Sequence, residues 1–158
     1  MAFSTGAVID GNPLRSGEVY GTSYIALSAT VFESGLKIGR FAKLDTGSID
    51  NLDTSATPVL AGVVIRNPAN PVEDGATYTT TYNSHIEYMR SGLIAVDVKS
   101  GETPTKFGAV YASNTTGEAT ATNTDLATNA EFIESIGTNL WLIRLKYCLL
   151  YTSPSPRD

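Results

Sequence analysis

The chain has 158 residues, of which 42% are hydrophobic and 17% charged, and its formal net charge is −5. An acidic chain without a cluster of Lys or Arg lacks the positive surface that nucleic-acid binding needs. Its apolar runs are too short and interrupted to predict a transmembrane helix, so no membrane partner is expected. A single cysteine, Cys148, excludes disulfide frameworks and cysteine-based zinc sites.

The last eleven residues, 148–158 (CLLYTSPSPRD), are identical to a translation of the end sequence left by transposon-based sequencing libraries. We therefore expect this tail to be non-native and exclude it from the fold analysis. On this interpretation Lys146 is the last residue certainly encoded by the organism, and the native C-terminus lies beyond it. The tail is expected to project from the domain without strand pairing.

The composition predicts an all-β fold. Nineteen threonines fall within residues 1–147, alongside many Val, Ile, Gly and Tyr. Branched and aromatic side chains suit pleated, half-buried surfaces, and Gly, Asn and Asp supply the turns between strands. We expect one small compact β-barrel or sandwich over residues 24–147, preceded by an extended arm.

The arm is predicted over residues 1–23, where five residues are Gly or Pro and apolar residues are sparse. It is expected to lie over the domain or to reach a neighbour. Residues 24–32 (YIALSATVF) follow. Their alternation of Ile25, Leu27, Ala29 and Val31 favours a strand over one short helix.

Further strands are predicted along the rest of the chain. Residues 59–66 (VLAGVVIR) form the most apolar run and predict a central strand. Residues 86–90 and 93–99 flank Ser91 and Gly92, a pair that predicts a two-residue hairpin. The remaining predicted strands are 39–44, 108–112 and 140–145, and the polar stretch 113–129 is expected to be a surface loop or an irregular hairpin.

Candidate catalytic residues are few. The single histidine, His85, lies two residues before Glu87, so in a strand both side chains share a face and would form an acid/base dyad. A surface His beside a surface Glu is the favoured interpretation. A small hydrolase built on this pair is one alternative function, but no nucleophile elbow, metalloprotease helix or phosphate-binding loop is present.

Two further groups suggest binding chemistry. Asp45, Asp50 and Asp53 share a turn-rich segment, but their spacing departs from a calcium loop and favours a solvated turn. Asn114 begins a glycosylation acceptor sequence that carries little weight without a secretion signal. No catalytic, cofactor-binding or metal-binding residue is therefore predicted.

Aromatic residues give the second alternative function, a carbohydrate-binding β module. Tyr78, Tyr82 and Tyr88 would stack on a sugar if exposed, although strand alternation explains them equally well. A binding platform at Trp141 with its apolar neighbours is less favoured than a terminal strand packed into the core. These neighbours are Leu142, Ile143 and Leu145.

Residues 35–145 resemble the structural cement, or decoration, proteins of tailed phages. Five segments carry the resemblance, in the order found in that family, each a glycine or arginine set among apolar residues. They are 37–42 (KIGRFA), 59–66 (VLAGVVIR), 89–96 (MRSGLIAV), 108–112 (GAVYA) and, after Gly137, 140–145 (LWLIRL). The arm and the loop 113–129 do not align with the family.

The resemblance implies a small β-barrel-like domain that binds the outside of the phage head and bridges major capsid proteins without catalysis. It implies a virion protein made in the host cytoplasm that acts as a homo-oligomer on the capsid. Many modest contacts of this kind become strong together through effective concentration. Thr-rich strands of low charge would also pair with capsid strands by edge addition.

Overall fold

The computed structural model describes residues 8–9, 12–31, 36–45, 47–52, 58–66 and 85–146, without the side chains of residues 8, 9, 12, 13, 45 and 85. This part of the chain contains eleven strands and no helix, so the all-β prediction is confirmed. The expected projection of the tail 148–158 concerns residues outside those described. The strands are β1 (Val8–Ile9), β2 (Asn12–Pro13), β3 (Val19–Val31), β4 (Phe41–Asp45), β5 (Ser48–Asn51), β6 (Val59–Val64), β7 (His85–Asp97), β8 (Ala109–Ala112), β9 (Ala119–Thr120), β10 (Leu126–Gly137) and β11 (Leu140–Leu145).

Nine strands form one sheet in the order β3-β5-β4-β6-β7-β11-β10-β8-β9, while β1 and β2 form a separate two-stranded sheet. An additional pairing between β3 and β7 closes the first five strands into a ring, here called the first ring. The strands from β7 to β9 curl into a second ring. A parallel bridge between Val98 and Ala119 brings its last strand back to the end of β7.

The central strand predicted over 59–66 is confirmed as β6, which lies between β4 and β7. Its side chains are divided between two apolar clusters, and the register shift between the pairs Ala42–Gly62 and Lys43–Leu60 interrupts strict alternation along the strand. Leu60 and Val63 belong to the larger cluster, which extends through the second ring, and Ala61 and Val64 belong to the cluster of the first ring. Burial on both faces explains the continuous apolar run in the sequence.

The hairpin predicted at Ser91 and Gly92 is wrong, because β7 runs through both residues as one 13-residue strand. Gly92 has φ +133°, a conformation that favours glycine, and an added Cβ would lie 2.5 Å from the Cβ of Tyr24. The strand changes partners here. Tyr88 and Met89 pair with β6, whereas the residues from Gly92 onward pair with β11.

A second glycine permits close approach between β6 and β7. Gly62 has φ +152°, and a Cβ at this position would overlap the carbonyl oxygen of Met89. Any larger residue would force the two strands apart, so this glycine allows the first ring to close tightly against β7.

Arg40 links the two rings at the end of β7. Its Nε lies 3.1 Å from Oδ2 of Asp97, and its Nη2 lies 3.6 Å from Oε2 of Glu118. Nearby, the Phe41 amide donates to the carbonyl of Gly117 at 2.8 Å. These contacts join the start of β4 to the turn between β8 and β9. The stretch 113–129, expected to be a surface loop or an irregular hairpin, contains this turn, β9 and the first residues of β10.

The second half of the predicted arm lies on the domain. The Leu14 side chain is 2% exposed and packs on the outer face of β7 and β11, against Ala95 and Leu142. The Gly17 amide donates to the Ala95 carbonyl at 2.8 Å, and the Ala95 amide donates to the Glu18 carbonyl at 3.1 Å. These contacts fasten the chain before β3 begins.

The substitution Leu14→Ala should lower the free energy of unfolding by about 2–4 kcal/mol, because it leaves a cavity in a buried apolar cluster. The matched control Leu27→Ala, at an exposed position, should cost less than about 1 kcal/mol. Urea denaturation followed by tryptophan fluorescence measures both. Equal small effects would show that the segment before β3 does not contribute to the core.

Candidate interaction surface

The structure gives no support to a catalytic dyad at the start of β7. Glu87 is exposed, and its backbone lies opposite Ser28 of β3. The backbone of His85 lies opposite Thr30, but its side chain is outside the described part of the chain. The distance between the His85 and Glu87 side chains therefore lies outside the described part of the chain.

The acidic turn does not form a described metal site. Asp50 is buried on β5, opposite Lys43 of β4, and its Oδ1 accepts a hydrogen bond of 2.8 Å from the Asn51 amide. The Asp45 side chain and residue 53 lie outside the described residues. Among the residues that are described, no group of three or more His, Cys, Asp or Glu is placed to hold a metal ion.

Only one of the three tyrosines considered for sugar binding lies within the described part of the chain. Tyr78 and Tyr82 lie outside the described residues, whereas Tyr88 is 5% exposed in the cluster of the first ring. Burial raises the pKa of the Tyr88 hydroxyl, and the nearby charge of Arg90 opposes that shift. A buried ring offers no face for stacking on a ligand.

Trp141 and its neighbours serve the core, as the favoured interpretation predicts. The Trp141 ring meets Phe132 edge to face, with 5.3 Å between ring centroids. Leu142, Ile143 and Leu145 are buried. Asn114 is partly buried in the turn that follows β8.

The strand β3 exposes four large apolar side chains, which together we call the β3 surface. It consists of Tyr20, Tyr24, Ile25 and Leu27, and Ile25 is 50% exposed. Ile25 and Leu27 continue the row of Ala29 and Val31, which reaches the core of the first ring. The alternating apolar side chains seen in the sequence are therefore buried at one end of the strand and exposed at the other.

Phe107 marks a second exposed apolar site, which we call the Phe107 cleft. The side chain is 67% exposed at the rim of a cleft of about 300 Å³ between β8 and β10. The cleft forms where the β8–β10 ladder is irregular, between the pairs Ala127–Tyr111 and Glu131–Ala109. Glu131 in the cleft pairs with Lys146 at 3.3 Å.

The backbone of Phe107 is strained. Its φ is +66°, and the only other described non-glycine residues with positive φ are Asn129 and Asn139. Asparagine tolerates this conformation, whereas an aromatic residue pays about 1–2 kcal/mol for it. The conformation is fixed because the Phe107 amide donates to the Phe132 carbonyl at 2.6 Å. Strained backbone conformations cluster at functional sites, so the exposed ring of Phe107 is a candidate contact residue.

Sequence reasoning missed the Phe107 cleft. The available signal is an aromatic residue inside the turn-forming stretch 101–108 (GETPTKFG), where no core side chain is expected.

In the described part of the chain, no helix is suited to crossing a membrane.

Comparisons with known proteins give a family match and a similar solved structure. The family model for structural cement proteins (E217 gp24/Pam3 gp6) matches residues 9–146. Among solved structures, a chain titled the capsid of Myoviridae phage XM1 is similar at 34% sequence identity with a TM-score of 0.78. The alignment covers 94% of this chain and 100% of the phage XM1 chain. No curated protein matches the sequence.

The substitution Phe107→Asn should raise the free energy of unfolding by about 1 kcal/mol, because asparagine tolerates positive φ and no buried contact is lost. The control Phe107→Ala should gain less, since alanine lacks the polar side chain that stabilises asparagine in this conformation through local hydrogen bonds. Urea denaturation measures the difference. A loss of stability in both variants would show that the ring contributes to the core.

Ionisation of Tyr88 should leave the free energy of unfolding of the wild-type protein unchanged below about pH 10 and should lower it above that pH. Because burial raises the pKa of Tyr88 in the folded state, the unfolded chain loses this proton first as the pH rises. Tyr88→Phe should show a shallower decrease in melting temperature above about pH 10. Identical pH profiles for the two proteins would contradict this effect of burial.

Proposed function

The chain belongs to the structural cement protein family, and from this membership we propose that it binds the outside of a tailed-phage head and stabilises the major capsid protein lattice. The observation that carries this proposal is the family match over residues 9–146, joined by the 34% identity to a phage capsid chain. The protein is accordingly a component of the virion with a structural role. We propose that it is made in the host cytoplasm.

The family match supports including the N-terminal segment in the functional unit. It begins at residue 9, well before the resemblance seen in the sequence, and includes Leu14 and the residues that fasten it to β7. We therefore propose that residues 14–23 act with the β domain in capsid binding rather than as an independent arm.

The two exposed apolar surfaces suggest how the protein stabilises a lattice. The β3 surface lies beside β7, and Phe107 bonds to β10, which is separated from β7 by β11 in the sheet order. A protein that holds two neighbouring subunits together needs two separate contact surfaces. We propose that the β3 surface and the Phe107 cleft contact different subunits of the capsid.

The remaining features of the proposal concern partners. The major capsid protein is the proposed direct partner, and copies of the chain are proposed to act as a homo-oligomer on the symmetric lattice. The net charge of −5 supports neither nucleic acid nor membrane as a partner. We assign no catalytic, cofactor-binding or metal-binding residue to this chain.

Titration of the purified protein onto expanded capsids that lack cement protein should give saturable binding and raise the temperature at which the capsids disrupt. The variant Phe107→Asn should still bind at higher protein concentration, but it should lose most of the temperature increase, because a bridge needs both contacts. The control Ser100→Ala, in an exposed turn, should behave as the wild type.

Absence of binding by the wild-type protein to its own capsid would contradict the proposed function. Full capsid stabilisation by Phe107→Asn would contradict the bridging role of the Phe107 cleft and leave the cement function intact.

A further inference from the structure

We propose that the outer edge of β3, over residues 20–29, accepts an extended segment of the capsid protein as an additional strand. This inference rests on the proposed function and names the chemistry by which one of its surfaces binds. It is carried by the backbone of β3, by the composition of its side chains and by the charge around it.

Among the described strands, the backbone of β3 is paired along one edge and almost unpaired along the other. One edge pairs with β7 at residues 19–20 and 25–30. On the other edge, the described strands pair only with Thr30 and Val31, which lie opposite Ser48 and Ile49 of β5. Alternate amides and carbonyls of residues 20–29 therefore point away from the described strands, in the arrangement that binds an added strand.

The side chains of β3 do not block such pairing. An exposed edge strand is usually protected by Lys, Pro or an inward-pointing charge. The sequence of β3, VYGTSYIALSATV, contains none of these. Ile25 and Leu27 offer an exposed apolar row on one face, so an incoming strand with apolar residues at alternate positions would extend the cluster of the first ring.

The surrounding charge favours a capsid segment over a second copy of this chain. The whole chain carries a net charge of −5. Two copies paired through this edge would repel each other through these like net charges.

Hydrogen–deuterium exchange tests the open edge directly, with the wild-type protein free and bound to saturated capsids. In the free protein, about half of the amides of residues 20–29 should exchange quickly, because alternate amides of an edge strand point outward. On capsids, the exchange of these amides should slow by about a hundredfold, as it does when a backbone hydrogen bond forms. Peptides from the exposed turn 99–105 serve as an internal control and should not change.

A pair of proline variants separates backbone pairing from side-chain contact. Leu27→Pro and Ser28→Pro remove amides that point to opposite edges, so one variant should disrupt pairing with β7 and lower the melting temperature. The other should remain folded, because proline is tolerated on the open edge of a strand, and should lose at least about tenfold in capsid affinity. The side-chain variant Leu27→Thr keeps every amide and should lose less.

Several results would overturn the proposal. Slow exchange of residues 20–29 in the free protein would show that the edge is already covered by the chain itself or by a second copy. Unchanged exchange on saturated capsids, or wild-type affinity in the folded proline variant, would show that the capsid does not pair with this edge. A wild-type protein that does not bind capsids would overturn the proposed function as well.

Discussion

The structure depends on one shared strand. Because β7 pairs with β3 in both halves, with β6 in its first half and with β11 in its second, it belongs to both rings. Such sharing requires close backbone approach on both sides of the strand. Gly62 provides it where β6 meets Met89, and Gly92 provides it where Tyr24 crosses β7. Larger residues at either position would separate strands that have no alternative partner in the described part of the chain.

A shared strand also fixes the two exposed surfaces relative to each other. The β3 surface and the Phe107 cleft lie on opposite sides of the second half of β7 in the sheet order. The contacts of Arg40 with Asp97 and Glu118 further restrict movement between the rings. Rigid spacing suits a protein that joins neighbouring subunits, since little conformational entropy is lost when the second contact forms.

Much of the fold was predictable because β structure leaves a period-two pattern. The apolar run of β6 and the strand at 140–145 follow from burial of alternate or successive side chains, whereas the five family segments were found by their resemblance to cement proteins. The hairpin at Ser91–Gly92 was predicted wrongly because a glycine that permits a crossing has the same local sequence as one that permits a turn. Most of β10 was missed because a register irregularity and charged residues such as Glu131 and Glu134 obscure its alternation. The strain and exposure of Phe107 depend on the ladder between β8 and β10, which no local pattern encodes.

A reconstruction of capsids decorated with this protein, by electron cryomicroscopy at a resolution that separates strands, tests the account most directly. It should show both rings on the outer surface of the shell, with a capsid strand running along β3 and Phe107 buried against a neighbouring subunit. Rings that contact the shell through other faces, with β3 and Phe107 both exposed to solvent, would contradict the proposal that these two surfaces bind the capsid.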